Sequence, residues 1–491
     1  MNRVRIPDHQ ITCSNFIAGK WVPAHGDFID IYSPYSGSVV GRTRESNLAD
    51  VSEAVASAGK AQPQWAELPI KERTRIMFRF RELLLRDQDE IAQRISLENG
   101  KTLAESRAGL MKGIEVLEFA LSLQNLDEGA RMEVSRGVFC EYRREPLGVV
   151  VGITPFNFPA MVPMWMIPIA LTLGNAFIWK PSEKTPLTSI LIAEILREAG
   201  LPDGVFTVVQ GGRRTVEYLL DHEGVAAAGF VGSTAAARQV YRRGCASGKR
   251  VLALGGAKNH IILLPDADPD MSAVGISDSF TGCAGQRCMA ASVLLAVGDV
   301  DPIIEKIVAR ASSQTLGNSM GAIITDEQVQ FLNESVAEAT SEGADRVLGG
   351  DFKPPGDYPE GYWFPPTILD RVQPTHMAAR RELFGPILSI IRCDSLSEAL
   401  AVENGNPYGN AASIFTSNGA MAEKVARAAR AAMVGINIGI PVPREPFSFG
   451  GMNDSKFGHG DITGPSSLDF WSNLKKVTTK WQMQTDHNWM S

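Results

Sequence analysis

The string Gly282-Cys283-Ala284-Gly285-Gln286-Arg287-Cys288-Met289-Ala290 carries the sharpest local chemistry in this sequence. Small residues let a backbone approach a ligand closely. Cys288 follows Arg287, and a neighbouring guanidinium lowers a thiol's pKa and makes it a thiolate nucleophile. A buried structural cysteine has the same spacing and is the commoner fate of a lone Cys. Cys283 shares that alternative and has no cation beside it. Two further strings follow apolar runs. Lys180-Pro181-Ser182-Glu183 ends the run 176–179, and Gly232-Ser233-Thr234 ends the run closing at Val231. A lysine and a carboxylate just past a strand can hold ribose hydroxyls, and a helix N-terminus can face a phosphate. Surface caps would use the same residues.

Other chemistries find less support. No Gly-x-Gly-x-x-Gly is present: after Gly458-His459-Gly460 the third glycine falls one place late, at Gly464. None of the histidines pairs at metal-ligand spacing, so no metal is expected, and there is no Gly-x-Ser-x-Gly elbow. A Cys–His dyad through His260 stays open beside a purely structural strand-end histidine.

Elements that could position these residues are legible in the hydrophobic pattern. Residues 48–125 read as helices: Val51, Ala54, Val55 and Ala58 recur at helical spacing, as do Ile76, Met77, Phe80, Leu83 and Leu84. After Arg144, short β-rich runs at 149–153, 176–179, 205–209, 226–231 and 250–254 alternate with helical stretches. Fully apolar strands between helices predict a parallel sheet covered on both faces, with ligands at its carboxyl ends. A second alternating block runs from His260 to residue 445 and closes in the Pro-rich 440–446. The tail from 466 holds Phe470, Trp471 and Trp481. Its Val477-Thr478-Thr479 run predicts either a solvated end or an edge strand lent to another subunit.

The chain has 491 residues, enough for about three structural units. Apolar residues at 44% and charged residues at 21% exclude disordered and coiled-coil classes. With 48 Lys plus Arg against 55 Asp plus Glu, the net charge of −7 argues against nucleic-acid and anionic-membrane partners. Six cysteines without a Cys-x-x-Cys pair suit reduced thiols in a cytoplasm. Residues 1–8 have no apolar signal core, so no export peptide is expected. Residues 146–179 lack charge over a membrane-spanning length. Pro146, Pro155, Pro159, Pro163 and Pro168 interrupt them, which predicts a buried strand, a loop and a buried helix.

Five strings in order resemble the aldehyde dehydrogenase superfamily along nearly the whole chain. They are Thr154-Pro155-Phe156-Asn157-Phe158-Pro159, Lys180-Pro181-Ser182-Glu183, Phe230-Val231-Gly232-Ser233-Thr234, Gly285-Gln286-Arg287-Cys288 and Glu382-Leu383-Phe384-Gly385-Pro386. Gly256-Ala257-Lys258-Asn259-His260, Cys288-Met289-Ala290, Ile440-Pro441-Val442-Pro443 and Phe447-Ser448-Phe449 look like the CoA-acylating methylmalonate-semialdehyde dehydrogenases. The resemblance implies an α/β fold of two doubly wound domains plus a small β oligomerisation arm. It implies an NAD-binding domain at 1–123 and 144–255, a catalytic domain at 256–445, and an arm from 124–143 and 466–491. It implies a homodimer or homotetramer.

The resemblance also implies roles. Cys288 matches the nucleophile that attacks an aldehyde, and Asn157 matches the donor that, with the Cys288 N–H, holds the oxyanion. Lys180 and Glu183 match ribose contacts, the carboxylate favouring NAD over NADP. Thr154, Phe156, Lys184, Ser233 and Gly255 match further cofactor contacts, and Glu382 matches the nicotinamide-ribose carboxylate. Arg287 matches a substrate-binding arginine, and Lys112 stands where a second is usual, keeping charge without the planar fork. The segment 315–321 looks shorter than usual. Hydrolytic members carry a glutamate where Leu254 stands here. Leucine cannot take a proton from water, so a thioester should await coenzyme A as the incoming thiol. The function expected is NAD-dependent, CoA-acylating oxidation of a carboxylated semialdehyde. The rivals are a hydrolytic dehydrogenase giving a free acid, a non-redox cysteine acyltransferase and a non-catalytic binding protein.

Overall fold

The computed structural model of the protein describes residues 3–126 and 129–481. The portions of the expected units at 1–2, 127–128 and 482–491 lie outside the described residues.

Two large sheets position the site. The first has eight strands, in the order Lys456–Phe457, Arg250–Leu254, Ala227–Val231, Val149–Ile153, Ala176–Lys180, Phe206–Val208, Asn15–Ile17 and Lys20–Val22. Its five central members are parallel, and the outer ones pair antiparallel. Val149–Ile153 and Ala176–Lys180 are buried at every residue, which accounts for their unbroken apolar sequence. The chain steps outward from Val149–Ile153 to Phe206–Val208 and then returns to the opposite side with Ala227–Val231. Such a reversal opens a crevice at the carboxyl ends of the strands.

The second sheet runs Asp345–Leu348, Thr367–Asp370, Ile387–Cys393, Ala291–Val297, Asn259–Leu263, Ala411–Phe415 and Met433–Ile436. It is parallel except at the Asp345–Leu348 edge. The expected α/β fold with two wound sheets is met. The uncharged stretch forms the two central strands of the first sheet, with the buried helices Met161–Met164 and Ile167–Thr172 between them. No helix among the described residues is long and apolar enough to cross a membrane.

Residues 48–126 form the helices Leu48–Glu67, Ile70–Arg86, Gln88–Asn99 and Leu103–Leu126. Asn47 and Asp50 close a capping box at the start of the first. Gly100 ends the third in the left-handed region, with φ of 86°, and turns Lys101 inward. Ahead of these helices lie five short strands, Ile11–Thr12, Asn15–Ile17, Lys20–Val22, Phe28–Tyr32 and Val39–Arg44, which the pattern of residues did not signal. Pairings such as Val208 with Phe16 span too much sequence, and strands of two or three residues are too short for any periodicity.

A third sheet joins Ala130–Ser135, Val138–Pro146 and Ser472–Lys480. The tail strand therefore pairs within its own chain, from Ser472 opposite Pro146 to Lys480 opposite Val138. Met132, Val134, Tyr142 and Leu474 of this sheet are exposed.

Candidate active site

A cleft of about 1090 Å³ opens over the carboxyl ends of the first sheet. Much of its wall comes from strand ends. Thr154, Phe156 and Asn157 follow Val149–Ile153, Lys180 ends Ala176–Lys180, and Glu183 and Lys184 come just after it. Ser233 follows Ala227–Val231, and Gly255 and Gly256 follow Arg250–Leu254. Glu382, Phe384 and Cys288 close the cleft from the side of the second sheet.

The Lys180 side chain is buried, with Nζ 3.3 Å from Glu183 Oε2. Burial alone would raise the Glu183 pKa, but Lys180 and then Lys184 outweigh it and hold the carboxyl below its usual range. Glu183 is thus a charged acceptor at the cleft wall. Ser233 caps the helix Thr234–Ala246, its Oγ accepting from Ala236 N at 3.4 Å. That helix turns its positive end toward the cleft. Thr154 does otherwise. Its hydroxyl accepts from Trp179 Nε1 at 2.8 Å, and its N–H donates to Lys180 O at 3.1 Å, so it ties two strand ends together. Phe156 meets Phe384 edge-on at 5.8 Å, with Lys184 Nζ 5.4 Å from the Phe156 ring. Glu382 Oε1 accepts from Ala257 N at 2.9 Å. A Cβ on Gly256 would overlap the Glu382 carboxylate, so glycine there is what lets the carboxylate lie over the cleft floor.

The loop bearing Cys288 is set by a left-handed turn. Cys283, Ala284 and Gly285 have φ of 54°, 51° and 70°. Two of these are not glycine, and such conformations persist only where the surroundings enforce them. The surroundings do so here. Cys283 N donates to Glu105 Oε1 at 2.5 Å, and Gly285 lies so close to the Gly385 backbone that no Cβ would fit. Gln286 is pinned, with Oε1 accepting from Ile324 N at 2.9 Å and Nε2 donating to Ala322 O at 3.1 Å. The small residues of this loop therefore serve backbone-on-backbone packing. Asn157, 5% exposed, donates from Nδ2 to Gln286 O at 3.1 Å, which brings its amide beside the cysteine loop.

The expectation of a lowered thiol pKa is not met. Burial pushes the Cys288 thiol up to about 12, Glu382 adds to the rise, and Arg287 offsets little of it. The cause is direction. Arg287 Nη2 donates to the carbonyls of Asp278 and Ser279, at the C-terminal end of the helix Pro269–Thr281. Cys283 is buried and burial raises its pKa too. His260 sits inside the second sheet with Nδ1 near Asn406 Nδ2 at 3.4 Å, and burial and then Lys258 push it down to about 3. It offers no dyad to Cys288, since it is not among the residues that line the cleft.

The chain matches the aldehyde dehydrogenase family over residues 21–477. It belongs to that family. It is 39% identical over 479 residues to malonate-semialdehyde dehydrogenase 2 of Geobacillus kaustophilus, covering 96% of this chain and 99% of that one. It is 37% identical over 479 residues to the acylating mitochondrial methylmalonate-semialdehyde/malonate-semialdehyde dehydrogenase of Rattus norvegicus, covering 96% and 90%. A crystal structure from Sinorhizobium meliloti 1021, assigned as a methylmalonate-semialdehyde dehydrogenase and complexed with NAD, superposes with a TM-score of 0.95. It shares 38% identity, with 97% of this chain and 99% of that one covered.

Within this aldehyde dehydrogenase the cleft gathers Cys288, Asn157 and the expected cofactor contacts, Gly255 included, but not the two expected substrate cations. Arg287 is turned to its helix end. Lys112 lines a separate small cavity with Trp165, Val442, Glu445 and Phe449, paired to Glu115. Sequence reasoning passed over the residues that hold the catalytic loops. Lys101 Nζ, buried, donates to Asn99 Oδ1 at 2.9 Å and to the Asn157 carbonyl, and lies 4.3 Å over the Phe158 ring. Asn99 Nδ2 donates to Phe156 O at 2.9 Å. No local signal marked Asn99 and Lys101, because the carbonyls they donate to lie 57 and 56 residues away in the chain.

Proposed function

We propose that this enzyme oxidises a carboxylated semialdehyde of the malonate or methylmalonate type with NAD and hands the acyl group to coenzyme A through a thioester on Cys288. The observation that carries the reading is the meeting of a cleft-facing Cys288 and the Asn157 amide, with Leu254, not an acid, ending the adjacent strand. The likeness to acylating malonate- and methylmalonate-semialdehyde dehydrogenases over nearly the whole chain supports it.

NAD suits the residues present. Lys180 and the charged Glu183 can share the hydroxyls of one ribose, and a carboxylate there repels a 2′-phosphate. The end of helix Thr234–Ala246 suits a diphosphate. The Glu382 carboxylate, free of any Cβ at Gly256, suits the second ribose. When bound, NAD supplies the hydride acceptor. The chain supplies the rest. Cys288 attacks the carbonyl carbon as its thiolate, the thiol proton passing to solvent in the open cleft, and Asn157 Nδ2 with the Cys288 N–H holds the oxygen as its charge develops. Loss of the aldehyde hydrogen leaves an acyl group on sulfur. The thiolate of coenzyme A then attacks the same carbon, the same donors hold the second oxyanion, and Cys288 departs as the leaving group.

For the substrate carboxylate we keep Arg287 and Lys112 on the family resemblance alone, since Arg287 donates to the end of helix Pro269–Thr281 and Lys112 lines a separate cavity. We assign the eight-stranded sheet with its helices to cofactor binding, the seven-stranded sheet to catalysis, and the three-stranded sheet to oligomerisation as a dimer or tetramer. The free cysteines suit a reducing cytoplasm. One observation favours the hydrolytic rival: Glu382 shares the cleft with Cys288, and burial pushes its pKa up to about 7, a value suited to a general base.

An aldehyde panel with and without coenzyme A decides between them. The acylating reading expects one equivalent of NADH per site, a stall with an acyl adduct on Cys288, and renewed turnover to acyl-CoA when coenzyme A is added. Steady turnover to free acid without coenzyme A overturns it.

A further inference from the structure

The Cys288 carbonyl is gripped by two side chains from the second sheet. Asn259 Nδ2 donates to it at 2.8 Å, and Asn410 Nδ2 donates to it at 2.8 Å. Both asparagines are 6% exposed. Each is itself anchored. Asn259 begins the strand Asn259–Leu263 at a register shift, donates also to Ala290 O at 3.0 Å, and accepts from Ala411 N at 3.1 Å. Asn410 immediately precedes the strand Ala411–Phe415, with its own carbonyl accepting from Met433 N at 3.2 Å. A carbonyl in a loop needs one partner to satisfy it, and two buried amides converging on one oxygen exceed that need.

The peptide they grip joins Cys288 to Met289, so its N–H is that of Met289. The Met289 N–H is the next peptide hydrogen along the chain from the side chain that bears Sγ, and with the Cys288 N–H it opposes the rise that burial imposes on the thiol. Holding the carbonyl end of a planar peptide fixes where its N–H end points. Donors on the carbonyl also polarise the peptide and strengthen the N–H as a donor.

We propose that Asn259 and Asn410 are positioning residues for the nucleophile, aiming and polarising the Met289 N–H so that it stabilises the Cys288 thiolate. The proposal rests on Cys288 being the nucleophile. The other groups that bear on the sulfur are Glu382, whose charge opposes the thiolate, and Arg287, whose charge favours it from the end of helix Pro269–Thr281.

The test is the pH profile of iodoacetamide inactivation of the full-length, cofactor-free enzyme, with peptide mass spectrometry to locate the adduct. Asn410→Ala and Asn259→Ala should each leave roughly three- to tenfold less thiolate at a given pH, the worth of about one hydrogen bond. The rate of NADH formation should fall by a similar factor, with the aldehyde KM and the NAD Kd nearly unchanged. Each variant leaves the carbonyl one amide. Asn259→Ala also frees Ala290 O and Ala411 N, so Asn410→Ala is the cleaner variant, and Asn410→Ser and Asn259→Ser are smaller polar replacements if either alanine variant does not fold. Glu382→Gln should shift the profile the opposite way and shows that the assay reads the thiol. Unchanged thiol profiles in the asparagine variants, with or without lost activity, overturn the proposal and leave a structural role. Inactivation without alkylation of Cys288 would instead overturn the nucleophile assignment beneath it.

Discussion

Replacing Asn157 by alanine removes one of the two proposed oxyanion donors and little else. The amide is 5% exposed and makes one donor contact, to Gln286 O at 3.1 Å. Leaving that buried carbonyl short of a partner costs about 1–3 kcal/mol of stability. A domain with about 5–15 kcal/mol in hand tolerates that loss. The loop itself stays in place, because its backbone is held separately by Lys101 at the Asn157 carbonyl and by Asn99 at the Phe156 carbonyl. In the transition state the loss is larger, about 2.7–4 kcal/mol, or ~10²–10³ in rate. The assay is the pre-steady-state rate of NADH formation, which reports the step before acyl transfer, alongside thermal melting and NAD titration. Asn157→Asp sharpens the test: it keeps the shape but sets a carboxylate against the developing negative charge, and should be slower than alanine. A fall of less than about tenfold in Asn157→Ala, or a matching loss of NAD affinity, would refute the oxyanion role.

The remaining expectations concern the thiols, the substrate cations and pH. Cys288→Ala should abolish NADH formation and leave NAD affinity nearly intact, whereas Cys283→Ala should be mild, both read by turnover and by calorimetric titration. Arg287→Leu and Lys112→Ala should raise KM for carboxylated aldehydes far more than for propanal. Equal losses on both substrates would return Arg287 to its role at the end of helix Pro269–Thr281. The pKa of Glu382 is pushed up to about 7, first by burial. Such a group stabilises the fold fully below the ordinary carboxyl pKa and loses that contribution as pH rises through 7. Glu382→Gln should therefore raise Tm more above pH 8 than at pH 5, by a margin worth about 2 kcal/mol, in melting curves across pH.

What the sequence made legible was local. Strand ends at Lys180 and Ser233 pointed to a ligand edge with surface caps as the alternative, because fully apolar runs have few readings other than buried parallel strands. The composition of the cysteine loop left a nucleophile and a structural cysteine both open, and only the family resemblance chose between them. Direction was not legible. Adjacency of Arg287 and Cys288 in sequence suggested a shared electrostatic field, but the left-handed turn at Cys283–Ala284 precedes a loop that sends the guanidinium to a helix end. Long-range polar contacts were not legible either. Lys101 reaches Asn157 across 56 residues, and Asn410 reaches Cys288 across 122. Neither pairing leaves a periodicity or a motif, since an isolated Asn or Lys reads as surface until the fold buries it.

Burial at Cys288 has two opposite consequences, and the site depends on both. The sulfur packs against the apolar cluster that contains Leu254, Met289, Trp165 and Phe449. That environment makes a thiolate costly, which is why the thiol lies near 12 and not below its ordinary value. The same apolar wall places no side-chain base at position 254, so in the acylating reading an acyl group on sulfur awaits a thiol. Beside the charges of Glu382 and Arg287, polar groups meet the reacting centre at the Asn157 amide and at the peptide held by Asn259 and Asn410. A carboxylate at position 254 would favour hydrolysis, but it would enter that cluster as a buried charge and destabilise the fold. In this reading, Leu254 both maintains the packing around the nucleophile and preserves the thioester for a thiol acceptor.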